Sequence, residues 1–581
     1  MTEVINSPLG EYRSFYKDAH SRTVSTFFEE LVTTSKIDEK ANIETVAQLR
    51  HLEASVSESK SSRAKWRWAR VGSIVAAAGL SFAGIKAGGL LLLLLLPAAG
   101  FISLVFGKIN PAARTLTAEL ADLEVRVKAK SSEAWQQMKP LNDLHVWGTA
   151  RKLFMQTVPQ FKLDPYMSPT RLQDLSATYG FSEPTSNTKS ALFAQSGSLK
   201  GNPFVLSRYL HHWIGSKTYF GSITIYWTVR ERNSQGQWVD VRKSQVLTAS
   251  VTQPFPEYST AATLVYGHES VPNLSFSRKP SKASGSDSER KINRHIKKVE
   301  RKAQKATNTG NSNLTIMANR EFDAIFQALD RNDEVQYRLL FTALAQQEML
   351  NLLHDNSEGP GDVFSYTKSG KVNFIQSPHL TQTQFDDSPN SFKFLELAEA
   401  RKFFLKFHSE YFRALYFGFA PLLATPLYQE NRTLPSEVDV THDGSLSYWE
   451  HEVMANYLGE SSFKHPESIT RNILKTHSEP SPMGGSIVSV LASGYRGIGR
   501  VTIIPLRGGD GRFHDVPVQW TEYVPVQRSS QMLVTAENIE SQSNPIENGA
   551  GESWQSIMSR NGLVEANVIR RGFVTAALIR K

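Results

Sequence analysis

Residues Val71–Phe106 read VGSIVAAAGLSFAGIKAGGLLLLLLLPAAGFISLVF, and their interpretation decides how the rest of the chain is understood. Lys86 is the only charged residue in the run. A helix needs about 20 apolar residues to cross the roughly 30 Å hydrocarbon core of a bilayer. As one helix the run would measure about 54 Å at ~1.5 Å per residue, too long for one upright span. Its middle, Lys86-Ala87-Gly88-Gly89, supplies a charge and two glycines, and glycine suits a tight reversal. The run therefore predicts a transmembrane helical hairpin, Val71–Ile85 and Leu90–Phe106, with its turn at Lys86, Gly88 and Gly89. Trp66, Arg67, Trp68, Arg70 and Lys108 are the expected membrane-flanking residues, because aromatic rings favour the interface and cytoplasmic flanks carry the Lys/Arg excess. Both flanks are basic, which asks for an even number of crossings. The alternative is a single span, with one side of the protein outside the cell. About 70 mostly polar residues precede the run, which argues against a signal peptide.

At 581 residues the chain has room for two to four domains. Its hydrophobic content of 40% is ordinary for a folded protein, so most of the mass reads as globular. The net charge of +9 permits attraction to anionic lipid or nucleic acid without demanding either. There is no cysteine, which excludes disulfides, Cys-ligated zinc, iron–sulfur clusters and Cys nucleophiles.

Outward from the apolar run, Val46, Leu49, Leu52 and Val56 before it, and Leu116, Leu120, Leu123 and Val127 after it, recur at helical spacing. Two amphipathic helices leaving one hairpin are placed to pair as an antiparallel coiled-coil stalk; the alternative is that each packs on a globular domain. Residues 150–205 are turn-rich and give no firm assignment. From Tyr219, YFGSITIYWTVRE alternates apolar and polar residues, SQGQ makes a turn, and WVDVRKSQVLTASV continues as the partner strand.

Residues 278–305 carry eleven Lys/Arg against Asp287, Glu289 and Glu300. Their Ser- and Gly-rich first half is expected to be a solvated linker. The second half, with Lys291, Arg294, Lys297, Lys298, Arg301 and Lys302, is the candidate for contact with an anionic membrane surface. No reader motif or aromatic interleaving supports nucleic-acid binding. The 314–380 region reads as α+β, with a helix through Leu353 and short strands around Ser369-Gly370. The aromatic-rich stretch after Tyr411 is expected to be a buried core helix, because Arg413, Pro421 and Pro426 interrupt it. Residues 484–527 and 562–580 return to strand-like alternation, and 536–552 read as a polar loop.

The best catalytic candidate is WEHEVMANYL, Trp449–Leu458, with His442 upstream. A zinc-protease helix needs histidines at i and i+4 so that both imidazoles share a face. Here Ala455 stands where the second histidine belongs, which leaves His442, His451 and Glu452 as a metal or acid–base set only by another geometry; no metal site is expected. SGYRGIGR, Ser493–Arg500, has the glycines and arginines of an anion cradle, but a strand follows where a phosphate loop needs Gly-Lys-Ser/Thr opening a helix, and a turn or bulge is the expectation. LRGGDGR, Leu506–Arg512, reads as a hairpin turn.

The apolar run, the strand segment TYFGSITIYWTV (Thr218–Val229) and the block EFDAIFQALDRNDEVQYRLLFTALAQQEMLNLL (Glu321–Leu353) together resemble a bacterial membrane-protein family of unknown function. Its members place amphipathic helices around a two-helix membrane hairpin, followed by a mixed α/β cytoplasmic domain. The likeness spans residues 40–380, and it implies a topology without implying catalytic residues.

The expected fold class is thus an α+β membrane-anchored protein. N-terminal amphipathic helices occupy 1–70, the transmembrane hairpin 71–107 and a pairing helix 108–150. A β-rich domain follows at 151–277, a basic linker at 278–313 and α+β domains at 314–581. The expected location is integral to the plasma membrane with the bulk of the chain cytoplasmic. The expected function is a non-enzymatic interaction or scaffold protein with no cofactor, its partners being the lipid bilayer and other proteins or further copies of itself. Two alternatives stay open: a membrane-tethered hydrolase using the 442–452 region, and a subunit of a transport, secretion or conjugation assembly. A solitary transporter is disfavoured because it needs ionisable residues at the membrane midplane, and only Lys86 is available.

Overall fold

The computed structural model describes residues 4–87, 95–105, 107, 110–182, 187–281, 289–308, 315–432, 444–480, 485–536 and 568–579. The chain divides into two compact units, one of residues 21–149 and 387–409, the other of residues 1–20, 150–386 and 410–581.

The smaller unit is built on α1 (Glu39–Ala87), α2 (Leu95–Leu104) and α3 (Asn110–Asn142). The amphipathic spacing around Val46, Leu49 and Val56 buries those residues, and α3 contributes buried Leu120, Ala134 and Met138. α1 and α3 run antiparallel: the Gln137 amide donates to the Thr45 hydroxyl at 3.0 Å, and further along Lys60 Nζ lies 3.0 Å from Glu124. Asn42 fastens α1 to residues 395–397, its side chain donating to the Leu395 carbonyl (2.9 Å) and accepting from the Leu397 amide (3.2 Å).

The expected transmembrane hairpin is overturned here. Among the described residues no helix is long and apolar enough to cross a membrane. The physical reason is that the described helical segments are too short or too charged. The apolar part of α1 runs only from Val71 to Ala87, about 25 Å at ~1.5 Å per residue, and the helix before it is studded with Lys60, Arg63, Lys65, Arg67 and Arg70. α2 has 10 residues, about half of a membrane's hydrocarbon thickness. The membrane-anchored fold and the integral plasma-membrane location fall with the hairpin. So does the premise for the flanking residues: Trp66, Arg67, Trp68 and Arg70 ride within α1, with Trp68 76% exposed. Lys86 lies within α1. Gly88, Gly89 and Lys108 lie outside the described residues, as do the Ser/Gly segment 282–288 and nearly all of the polar stretch 536–552.

The larger unit holds two antiparallel sheets. The first contains β1 (Phe161–Leu163), β2 (Lys189–Leu199), β3 (Asn202–Arg232), β4 (Trp238–Gly267), β5 (Ser275–Arg278), β6 (Ser365–Ser369) and β7 (Val372–Gln376), in the order β1-β2-β3-β4-β7-β6-β5. The second contains β8 (Ile473–Pro480), β9 (Ser486–Arg507), β10 (Phe513–Ala536), β11 (Val568–Arg571) and β12 (Val574–Ile579), in the order β11-β12-β10-β9-β8.

Strands β3 and β4 hold one unbroken register from Phe204↔Tyr266 to Arg232↔Trp238. Their sheet neighbours stop early: β2 pairs no further than Lys189↔His211, and β7 no further than Thr263↔Gln376. Beyond those points β3 and β4 continue as a two-stranded ribbon. β9 and β10 do the same once β8 ends at Ile473↔Ser493 and β12 at Gln531↔Ile579.

Among the helices of this unit, two carry residues singled out by sequence. α4 (Glu289–Asn308) carries the basic segment, buries Val299 and Ala303, and lies against the short helix Arg320–Phe326. α5 (Tyr448–Leu458) is capped by Ser447, whose hydroxyl accepts from the Glu450 amide. It sits between the two sheets, with Trp449 and Val453 in the core of the first and Met454 and Ala455 in the core of the second.

Candidate functional site

The two ribbons pack face to face. Along β3 the odd positions Tyr219, Ile223, Ile225 and Trp227 turn inward, where they meet Leu247, Ala249, Val516 and Val518. The period of two dictates this: successive side chains of a strand point to opposite faces. The ribbons approach closely at Gly221, where a Cβ would lie 2.1 Å from the Pro517 carbonyl oxygen, so only glycine fits there. Nearer the ends, the Gly509 amide donates to the Gln245 side chain at 2.7 Å. Together they form an arm of about 65 Å at ~3.3 Å per residue.

The outward positions of the arm carry large apolar groups. Phe220, Tyr226 and Val246 face solvent on one ribbon, and Val501, Ile503 and Phe513 on the other, each about 60–70% exposed. Arginines lie over the aromatic rings near the longer tip, Arg242 at 4.8 Å from the Tyr226 centroid and Arg232 at 5.3 Å from that of Trp238. The β9–β10 turn reaches the level of Ile225, Trp227 and Gln245, so the β3–β4 ribbon runs on past it as a lone pair of strands. An isolated two-stranded ribbon is marginal in water.

The residues singled out by sequence fall elsewhere. The helix expected to offer catalysis, α5, is buried from Trp449 through Ala455 because it joins two sheets. Its acidic groups are committed to that joint. Glu452 accepts from the Ala191 amide (2.9 Å) and pairs with Lys475 (2.5 Å). Glu450 pairs with Arg571 (3.0 Å) and accepts from the Met167 amide (3.3 Å); burial raises its carboxyl pKa, against the pull of Arg571. The His451 ring is buried, with no hydrogen-bond partner for either nitrogen among the described residues. Burial lowers its pKa to about 4, so it is neutral at pH 7. His442 lies outside the described residues. The described residues contain no group of three His, Cys, Asp or Glu placed to hold a metal ion.

SGYRGIGR forms no cradle: β9 passes straight through it in register with β10. LRGGDGR forms the β9–β10 turn, closed by the Gly508 amide donating to the Arg512 carbonyl at 2.8 Å. On α4, Arg294, Lys297, Lys298 and Arg301 lie on its exposed side, and Lys291 and Lys302 belong to the same helix. The arm is what sequence reasoning missed. Its hairpins are written in the alternation of 219–251 and 484–527, but that their outward faces are also apolar shows only once the inward faces are known.

No protein-family model, curated protein or solved structure matches the chain.

Proposed function

We propose that this chain is a non-enzymatic interaction or scaffold protein and that the double-ribbon arm is the element that meets its partner. The observation that carries the reading is the tip, where Tyr226 and Trp238, each about 60% exposed, stand under Arg242 and Arg232. Aromatic residues and arginine dominate the energetics of protein interfaces. A two-stranded end that is marginal alone gains stability when a partner covers it. The charge points to the partner's chemistry: Arg230, Arg232, Arg242 and Lys243 outnumber Glu231 and Asp240 near the tip, which suits a protein surface of apolar side chains ringed by carboxylates. The commitment of Glu450 and Glu452 to the joint between the sheets supports the non-enzymatic side of the reading.

A photoreactive residue placed at Trp238 in the full chain, expressed in its native cell, tests it. One adduct of discrete mass is expected, absent when the same residue stands at exposed Glu467. No adduct from position 238, or the same adducts from both positions, overturns the reading.

A further inference from the structure

On the face of the first sheet that meets α5 there is a cavity of about 320 Å³, within the ~300–1,000 Å³ range of small-molecule sites. The register explains why it exists. One rung of the sheet, Val205–Val265–Phe374, is filled by the apolar core beneath Trp449. The next rung, Ser207–Thr263–Gln376, carries short or polar side chains where a packed core would place Leu or Ile. The space is walled by Trp449 and Glu452 of α5 and closed at one side by Lys189 and Lys475.

Its polar groups are ordered. The Gln376 amide donates to Thr263 Oγ1 at 2.9 Å and lies 3.4 Å from the Tyr209 hydroxyl. Lys189 Nζ lies 4.7 Å from the centre of the Tyr209 ring. The charges do not cancel. Lys475 is matched by Glu452 at 2.5 Å, whereas Lys189 has no carboxylate partner among the described residues. The cavity thus combines an aromatic wall, a line of hydrogen-bonding groups and one cation without a carboxylate partner among the described residues.

We infer that this cavity binds a small amphipathic monoanion, its apolar body against Trp449 and Phe374 and its carboxylate toward Lys189. An ammonium in the same place would meet Lys189 as a like charge, and among the described lining residues a dianion would lack a second cation not already paired. The inference stands apart from the arm: its residues lie in the sheet, α5, β8 and the stretch Phe181–Ser182 ahead of β2, so either reading can fail without the other.

Calorimetric titration of the full chain with naphthalene-2-carboxylate and, separately, with 2-(aminomethyl)naphthalene tests it. Saturable binding of the carboxylate is expected, at least tenfold tighter than that of the amine. Lys189→Glu changes a half-buried position at the start of a strand, and it is expected to weaken the carboxylate at least tenfold, while Lys464→Glu leaves it unchanged. Absence of saturable carboxylate binding, equal binding of the amine, unaltered affinity in Lys189→Glu, or an equal loss in Lys464→Glu each overturns the assignment.

Discussion

The root and the outer length of the β3–β4 hairpin are the same two strands in one continuous register, yet they live in different surroundings. At the root, Phe204, Val205 and Leu206 are all buried, although they point alternately to opposite faces. Phe204 meets Phe419 with ring centroids 4.7 Å apart, and Val205 enters the core beneath Trp449. In the arm, Tyr219, Ile223 and Ile225 are covered by the second ribbon while Phe220 and Tyr226 stay in solvent. What separates the two is how many faces are covered. The root is therefore held by the body of the unit, and the arm by one thin apolar seam, which predicts that perturbations of equal chemistry will have unequal reach.

The largest effect is expected at the root. Phe204→Ala removes a fully buried ring and should cost about 3–5 kcal/mol, read as a lower denaturant midpoint for the whole unit. Acid should also act on the body before the arm. Burial lowers the pKa values of His268, His379 and His451 from 6.5 to about 4. Between pH 6.5 and about 4 the unfolded chain takes up protons that the folded chain refuses. Their contribution to stability is complete above pH 6.5 and is lost as pH falls through that window. His451→Met is the sharp form of the test. Neither ring nitrogen has a hydrogen bond to lose among the described residues, so the variant should be as stable as the wild type or more so at pH 7, and its stability should fall less between pH 6.5 and 4. A large loss at pH 7 would show that the ring holds something in place.

In the arm, Gly221→Val should push the ribbons apart at the Pro517 carbonyl. Overpacking of this kind costs about 1–3 kcal/mol, but here it should appear as faster hydrogen exchange between residues 214 and 256 and between 497 and 524, with the root amides unchanged. If the root exchanges faster as well, the arm and the body unfold as one cooperative element and the contrast drawn between them fails.

The same contrast explains which parts of the molecule could be read from sequence. Residues 219–251 announced their hairpin because one face of each strand is covered, and alternation is the mark of that arrangement. The root escaped: with both faces buried the period vanishes, so 150–205 read as an unassigned turn-rich stretch and the strand was legible only from Tyr219. Helix α5 misled for a related reason. A helix buried from Trp449 through Ala455 between two sheets must satisfy its acids internally, and His451 and Glu452 looked like chemistry when Glu452 is a tie to Lys475, as its neighbour Glu450 is to Arg571. At Val71–Phe106 the composition was legible, but the described helical segments there are too short or too charged to cross a membrane. The cavity under Trp449 gave no local signal, because its rung is assembled from residues up to 169 positions apart, 207 and 376.

Smaller effects on stability belong to the outward face. Tyr226→Ser and Arg242→Ser touch neither the seam nor the root, and each should change stability by no more than about 0.5 kcal/mol. Both should reduce crosslinking from position 238. A variant that crosslinks as well as the wild type would move the partner's footprint away from the tip.

The smallest thermodynamic effect, and the most specific, concerns the edges. A free ribbon exposes unpaired backbone donors on both sides, a template for adding further strands. Pro254 and Pro256 stand on alternate residues of β4, opposite Ser216 and Ile214, and Pro505, Pro517 and Pro525 hold equivalent alternate positions in the second ribbon. Proline has no N–H to offer, and in a strand it is tolerated where that nitrogen faces an open edge. The root needs no such device, because β2 and β7 cover its edges. Pro254→Val restores one donor opposite Ser216, at an exposed position of the ribbon. Folding stability should stay within about 0.5 kcal/mol of the wild type, yet the variant should associate at lower protein concentration in sedimentation velocity. A restored donor at the root has no open edge to act on, so the effect should be confined to the arm. If Pro254→Val associates no more than the wild type, the edges are guarded by something else, and the charges near that position, Lys217 and Glu257, become the residues to change next.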